Sequence, residues 1–244
     1  MIMEWRIGCS GYHYPEWKGL FYPPDLSQRK WFEYYCENFN TLELNATYYK
    51  FPRLEVLKKW YTRSPKDFCF TIKAPRHITH FKKFRDARRM LSDFNETARA
   101  ALAEKLGCVL YQFPSQFQYQ PERLSRIVDL LDTAVNNVLE FRHESWWNPE
   151  VYETLTTAGI TFCGMSHPNL PETVVGTTDT LYYRMHGVPH LYNSGYEVSK
   201  LEQIAHELLS HRNSRQAFVQ FNNTAEGHAV LNAQQLQDIC ELVH

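Results

Sequence analysis

Two glutamates stand where predicted β-strands end, and a pair of carboxylates is one arrangement that can carry out acid–base catalysis. Glu43 lies in the segment TLELN, and Glu140 lies in VLEFRHE. Because alternate residues of a strand point to the same face, Glu140 and Arg142 share one side, opposite the apolar pair Leu139 and Phe141. Two carboxylates across a cleft can act as the acid and base of a hydrolase or lyase. We predict Glu43 and Glu140 as this pair; a structural Glu140–Arg142 ion pair is the alternative.

Lys73 is the third candidate for a catalytic role. It ends the apolar segment FCFTIK and is predicted to point to the same interior as the glutamates. A lysine near other cations can have a lowered pKa and form a Schiff base with a carbonyl substrate. The alternative is that Lys73 pairs with a carboxylate or binds a phosphate group.

Eight strand patterns, nearly all separated by helical segments, must position these residues. Alternation of strands and helices predicts a parallel sheet, and eight repeats within 244 residues predict a closed (β/α)8 TIM barrel. The whole chain, 1–244, is predicted to be one domain. The run from Ser166 to Thr180 is rich in turn residues, so the βα unit after strand six is predicted to be irregular. The predicted strands are 5–10, 41–45, 68–73, 108–112, 138–142, 160–163, 181–186 and 216–221.

Helix boundaries can be read at several positions. Ser27 and Asn148 are residue types that cap helix amino termini, and Pro121 and Pro149 suit the first helical turn. Gly159 predicts a helix end. The basic segment 82–89 is interpreted as a solvated face at the start of a helix.

The inward faces collect an excess of positive charge at the carboxyl-end mouth of the barrel. Arg6, Lys73, Arg142 and Arg184 outnumber the two glutamates there, and a buried surplus of charge is costly unless a ligand balances it. An anionic substrate, phosphorylated or derived from nucleic acid, is therefore our leading hypothesis. The predicted substrate-binding residues are Arg6, Asn45, Arg76, His77, Gln112, Arg142, Trp146, Arg184, His186, Asn222 and Asn223.

Aromatic residues make up 15% of the chain, and many fall in loops, where flat rings suit a sugar or a base. About half are expected to cap the barrel instead. A second hypothesis is accordingly a non-catalytic module that binds an anion or single-stranded nucleic acid.

A metal-dependent hydrolase or isomerase is the third hypothesis. Glu43, Glu140 and His186, with His77 or His228, offer possible ligands. Lys73, Arg142 and Arg184 would crowd a divalent ion, so no metal site and no cofactor is predicted.

The amino-acid composition limits the expected cellular location and the expected classes of partner. The net charge is only −1, which gives no long-range field for nucleic acid or membrane. No apolar run is long enough to span a bilayer. Six scattered cysteines form no CxxC pair, so we expect a reducing, cytoplasmic location and no membrane partner. Oligomeric state is not predicted.

Short motifs are spread over nearly the whole chain. They are 8–12 (GCSGY), 43–49 (ELNATYY), 73–75 (KAP), 78–80 (ITH), 111–114 (YQFP), 140–143 (EFRH), 145–146 (SW), 183–187 (YRMHG) and 221–223 (FNN), followed by Gly227, Ala229 and 232–233 (NA). Together these motifs resemble those of the YecE-like family, catalogued as domain of unknown function 72. The resemblance implies a TIM barrel and leaves the molecular function unassigned. Family members often place an aspartate just after strand six, where this chain has Ser166 and His167.

Overall fold

Eight parallel strands form a closed barrel, in chain order, in the computed structural model, which describes residues 3–242. β8 returns to β1 with the register running from Glu4↔Gln216 to Cys9↔Phe221. The predicted (β/α)8 fold is confirmed. The strands are β1 (Glu4–Cys9), β2 (Thr41–Leu44), β3 (Cys69–Lys73), β4 (Leu106–Gln112), β5 (Asn137–Glu140), β6 (Thr161–Ser166), β7 (Thr180–Met185) and β8 (Gln216–Phe221).

Helices cover the outside of the barrel between most strands. Residues 167–179, between β6 and β7, contain no helix, which confirms the predicted irregular unit. Within residues 3–242, no helix combines the length and apolar character needed to cross a bilayer. The helices are α1 (Trp31–Asn38), α2 (Ala46–Tyr49), α3 (Leu54–Arg63), α4 (Arg88–Leu102), α5 (Pro121–Leu130), α6 (Pro149–Ala158), α7 (Val198–Ser210) and α8 (His228–Leu242).

The strands bury both faces, as parallel strands do. Outward residues such as Leu139 and Phe141 join the large core between barrel and helices. A smaller apolar cluster fills the inside of the barrel. On β3, β4, β5, β7 and β8 one of its residues precedes a polar inward residue by two positions, whereas on β6 the apolar Met165 follows Cys163. Val138 thus precedes Glu140, and Tyr182 precedes Arg184, so apolar side chains occupy the amino-end half and polar ones lie toward the mouth. The inner cluster is Cys69, Cys108, Leu110, Val138, Cys163, Tyr182 and Phe218.

β5 is shorter than its sequence suggests. It ends at Glu140, whose carbonyl accepts the backbone N–H of Phe113, and its register with β6 covers only Val138 and Leu139. Arg142 therefore lies in the loop, although its side chain still returns toward Glu140. The strand ends early because β6 no longer supplies a hydrogen-bonding neighbour there.

The two predicted helix caps differ. Asn148 Oδ1 accepts the backbone N–H of Val151 at 3.1 Å, and its Nδ2 donates to the carbonyl of Ser145 at 2.7 Å. Ser27 precedes a short 3-10 turn at Gln28–Lys30, and its side chain makes no capping bond. Residue type alone predicted both positions, but only Asn148 satisfies a helical N–H group.

Replacing Asn148 with Ala should lower the free energy of unfolding by about 1 kcal/mol, because an N–H group of α6 loses its acceptor. Ser27→Ala is the matched control and should change it by less than about 0.5 kcal/mol. Urea unfolding of both variants measures the difference. Equal losses in the two variants would contradict the assignment of the cap to Asn148.

Candidate functional site

Arg184 lies between two carboxylates inside the barrel. Its Nη2 and Nε donate to the two oxygens of Glu43 at 2.6 and 2.9 Å, and its Nη1 donates to Oε2 of Glu140 at 2.6 Å. All three side chains are 0% exposed. The planar guanidinium suits this arrangement because its N–H groups point in fixed directions toward both carboxylates. The two glutamates predicted to face each other therefore share one arginine.

Glu43 accepts two further hydrogen bonds. Ser10 Oγ donates to it at 2.7 Å, and the hydroxyl of Tyr182 donates at 2.9 Å. Neither Ser10 nor Tyr182 is among the site residues predicted from the sequence. With Arg184, these groups bring four donated hydrogen bonds to one buried carboxylate. Little of its hydrogen-bonding capacity remains for a substrate.

Glu140 is held in the ionised form. Burial would raise the pKa of its carboxyl, but Arg142 and Arg184, with His186, keep that pKa well below its ordinary value. Arg142 Nε donates directly to Glu140 Oε1. An ionised carboxylate has no proton to donate at neutral pH, so this geometry disfavours Glu140 as a general acid.

His186 closes the polar layer toward the mouth. Its Nδ1 lies 3.0 Å from the side-chain amide of Asn222, and its Nε2 lies 3.1 Å from Arg142 Nη2 and 3.6 Å from Glu140 Oε1. Burial, followed by Arg142 and Arg184, holds the pKa of His186 well below its usual range. The imidazole is therefore neutral at pH 7. The structure brings together His186, Arg142 and Asn222, all predicted from sequence.

Lys73 differs from the two arginines of the site because it has no carboxylate partner. Among residues 3–242 its ammonium makes no salt bridge, and it instead lies 4.6 Å from the centre of the Tyr48 ring. The side chain is 9% exposed. Burial and the neighbouring Arg184 lower the pKa of Lys73 to about 8. A buried, unpaired ammonium is costly to maintain.

Two histidines flank these cations. His80 Nε2 lies 3.1 Å from the hydroxyl of Tyr48, and burial together with Lys73 lowers the pKa of His80 to about 4. His167 packs edge-to-face on His186 with ring centres 5.8 Å apart. Burial and Arg142 lower the pKa of His167 to about 4. Both histidines are neutral at pH 7, so they add hydrogen-bonding groups without adding charge.

Arg6 does not reach the mouth, and this prediction was wrong. Its guanidinium donates to the carbonyl of Asp67, just before β3 begins, at 2.7 Å, and pairs with Glu4. The inward direction was right, but Arg6 lies near the amino end of β1, and only residues at carboxyl ends of strands reach the mouth. The cationic surplus at the mouth falls accordingly from two charges to one.

Trp146 is also removed from the predicted binding set. It is 0% exposed, its ring stacks on Phe141 with centres 3.8 Å apart, and its Nε1 donates to the carbonyl of Phe117 at 2.6 Å. Large aromatic rings gain most when fully buried, and the indole N–H finds an internal acceptor. Trp146 belongs to the core that supports the loop after β5.

The remaining predicted residues are spread around the mouth. Gln112 ends β4 opposite Glu140 in the register, and Asn45 follows β2. Asn223 is buried and donates to the carbonyl of Ser194 at 3.0 Å, so its amide ties loops together.

Arg76 and His77 are exposed on the outer rim. The Arg76 guanidinium lies 5.8 Å from the Tyr49 ring and 5.6 Å from the Phe81 ring, and the His77 ring meets Phe81 edge-to-face. Both side chains face solvent and are not part of the buried polar layer.

The described part of the chain contains no cluster of metal ligands of the kind that the third hypothesis needs. Within residues 3–242, no group of three or more His, Cys, Asp or Glu side chains is arranged to hold an ion. His228 lies 3.7 Å from Glu226, which is exposed. Glu140 and His186 do approach each other, but Arg142 contacts both of them.

Replacing Arg184 with Met should lower the free energy of unfolding by about 3–5 kcal/mol, because two buried carboxylates lose their shared partner. The matched control is Arg63→Met, which breaks the exposed Arg63–Glu33 pair (2.8 Å) and should cost less than about 1 kcal/mol. Denaturant unfolding compares the two variants. Similar small losses in both would show that Arg184 does not hold the polar layer together.

Known proteins with the same sequence pattern and fold have no activity in their descriptions. The family described as "Protein of unknown function DUF72" matches residues 6–244. UPF0759 protein YunF of Bacillus subtilis (strain 168) is 26% identical over 256 residues, covering 91% of this chain and 90% of that protein. UPF0759 protein YecE of Escherichia coli (strain K12) is 30% identical over 147 residues, covering 56% of this chain and 53% of its own.

Solved structures agree with the barrel. A DUF72 family protein from Thermotoga maritima MSB8 superposes with a TM-score of 0.89 at 28% identity, covering 98% of this chain and 99% of that one. A DUF72 family protein from Enterococcus faecalis V583, at 20% identity, has a TM-score of 0.83 with coverage of 98% and 96%, and it supports the fold alone. Together with the family match over nearly the whole sequence, these likenesses show that the chain belongs to the DUF72 family of TIM-barrel proteins.

Proposed function

We propose that the mouth of the barrel is the active site of an enzyme that acts on a small anionic substrate, with Lys73 as the group that meets the anion. The observation that carries the proposal is the buried Lys73 ammonium, which has no carboxylate partner within residues 3–242. Lysine that is buried without a partner is rare in proteins, because desolvation disfavours its charged form. A bound anion would supply the missing charge.

The charge balance of the mouth supports the same conclusion. Glu43 and Glu140 are matched by Arg184 and Arg142 through direct hydrogen bonds. The histidines are neutral, so the charge of Lys73 is left over. One negative group of a substrate, such as a carboxylate or a phosphate oxygen, would complete the layer.

Neighbouring side chains offer directional contacts for that group. Among the described residues, Arg142 uses Nε toward Glu140 and Nη2 toward His186, which leaves Nη1 for a ligand. His186 contacts Arg142, and Asn222 contacts His186. Both side chains would orient the substrate through hydrogen bonds. Fixed donors of this kind bind an anion without reorganising first, which is how enzyme sites stabilise developing negative charge.

Lys73 is also the best candidate for proton transfer or nucleophilic attack. With a pKa of about 8, about a tenth of the side chain is neutral at pH 7 and can act as a base or attack a carbonyl carbon. Glu43 and Glu140, each ionised or saturated with donors, would serve to position Arg184 and Arg142. This moves the chemistry from the pair of glutamates to the lysine.

A binding module without turnover is the second candidate. The saturation of Glu43 by four donated hydrogen bonds favours it, because no free carboxylate then remains beside Lys73 to exchange protons. The two candidates differ in one observable. The enzyme consumes a bound phosphorylated or carboxylated compound, whereas the module binds the compound and returns it unchanged.

Sulfate binding should weaken as pH rises, and the midpoint should lie near pH 8. Sulfate keeps its charge between pH 6 and 10, so a change in affinity reports the protein. The Lys73 ammonium loses its proton as pH rises through about 8, so the dissociation constant should increase about tenfold from pH 7 to pH 9. Isothermal titration at constant ionic strength measures this profile.

Two variants serve as controls for the sulfate titration. Lys73→Arg should flatten the profile, because a guanidinium keeps its charge over the whole range. Lys50→Met removes an exposed lysine and should leave the profile unchanged. The test variant is Lys73→Met, which removes the titrating ammonium. If its sulfate affinity changed with pH as that of the unaltered protein does, the role of Lys73 in anion binding would be refuted.

A further inference from the structure

A second basic site lies outside the barrel mouth, between the loop after β3 and α5. It is a pocket of about 180 Å3 lined by five cations and two phenylalanine rings, and no carboxylate lines it. The sequence predicts 82–89 as a solvated face at the start of a helix, but α4 begins only at Arg88. The five cations are Lys82, Lys83, Arg85, Arg123 and Arg126.

None of these five side chains forms a salt bridge within the part of the chain that the structure describes. Among residues 3–242, no aspartate or glutamate oxygen lies within 4 Å of any of their charged nitrogens. Arg123 is held in place from two sides, because its Nη1 donates to the carbonyl of Gln118 at 2.6 Å and its guanidinium lies 5.0 Å from the centre of the Phe117 ring. Five like charges around one small pocket repel one another, and a bound anion would lower that repulsion.

The loop that supplies three of the cations is held in an unusual conformation. Lys83, Phe84 and Asp86 have φ angles of 50°, 62° and 45°, a region that residues other than glycine rarely adopt. Phe84 anchors the loop, since it is 0% exposed and packs on Tyr111 and Phe113 with ring centres 5.6 and 5.3 Å away. Strain of this kind persists where the surrounding structure fixes it, and here it presents the cations together.

An adjoining cleft indicates what the rest of a ligand would look like if its anionic group bound in the basic pocket. The cleft, about 920 Å3 in volume, shares Arg85 and Arg126 with the basic pocket, and its lining includes Asp86, Glu122 and Asp129. Those carboxylates would repel a continuing chain of phosphates. They would accept hydrogen bonds from hydroxyl or amino groups. The combination suits one phosphorylated end on a polar body.

We propose that this pocket binds the terminal phosphate or diphosphate of a small molecule whose hydroxyl-rich or amino-bearing body lies in the adjoining cleft. Two or more guanidinium groups can grip phosphate oxygens through paired N–H bonds. The site is separate from the barrel mouth and stands independently of the function proposed there.

Pyrophosphate is the probe for the site, and isothermal titration into the full chain carrying Lys73→Met isolates it from the mouth. One pyrophosphate should bind per chain. Adding Arg123→Gln and Arg126→Gln should weaken the affinity at least tenfold, and Lys82→Gln alone should weaken it severalfold. Arg89→Gln is the matched control, because Arg89 lies on α4 near the loop without lining the pocket, and its effect should stay below twofold.

Three outcomes would overturn the proposal. The first is no saturable binding of pyrophosphate by the Lys73→Met chain. The second is an equal affinity in the Arg123→Gln, Arg126→Gln variant whose unfolding midpoint matches that of its parent. The third is tighter binding of single-stranded oligothymidylate than of pyrophosphate, lost in that same variant, which would make the surface a nucleic-acid contact.

Discussion

The hydrogen bonds of Arg184 to both Glu43 and Glu140 are the constraint on which the mouth depends. These three side chains are fully buried and come from β7, β2 and β5, so one guanidinium joins distant parts of the barrel. Removing a single member would leave charge uncompensated in a region of low dielectric. This ionic layer therefore lies between the apolar cluster in the amino-end half of the barrel and the ligand-facing groups at the mouth, and it holds both in place.

The same ionic layer determines which cation of the mouth has no carboxylate partner among the described residues. Because the arginines are committed to the glutamates, Lys73 remains as the mouth's unpaired cation among the described residues. Keeping a buried ammonium without a partner costs stability, and proteins commonly accept such costs at functional sites. This is why Lys73 carries the proposed function, whereas the glutamates, which attracted attention first, fit a positioning role. The basic pocket beside α5 follows a similar logic, since its five cations also lack carboxylate partners.

Much of the fold was readable from the sequence, because strand alternation, the proline and asparagine at helix starts, and the turn-rich run after β6 are local signals. Inward directions were also readable, since side chains alternate along a strand. The distance of a residue from the carboxyl end of its strand was not readable from alternation. Arg6 was therefore wrongly predicted at the mouth. Burial of Trp146 and saturation of Glu43 depend on neighbours from other elements, so residue spacing could not reveal them. The number of cations at the mouth could be counted correctly only once the position of Arg6 along β1 was known.

The protonation of Lys73 is the quantity that most directly separates an unpaired cation from an ordinary ion pair. NMR titration of the chain with 13C-labelled lysine, with the Lys73 signal identified by its loss in Lys73→Met, gives that pKa. A midpoint of about 8 is predicted, because burial and Arg184 both disfavour the charged form. A midpoint at or above 10.5, the ordinary value, would mean that a carboxylate neutralises Lys73, and it would contradict the proposed anion site.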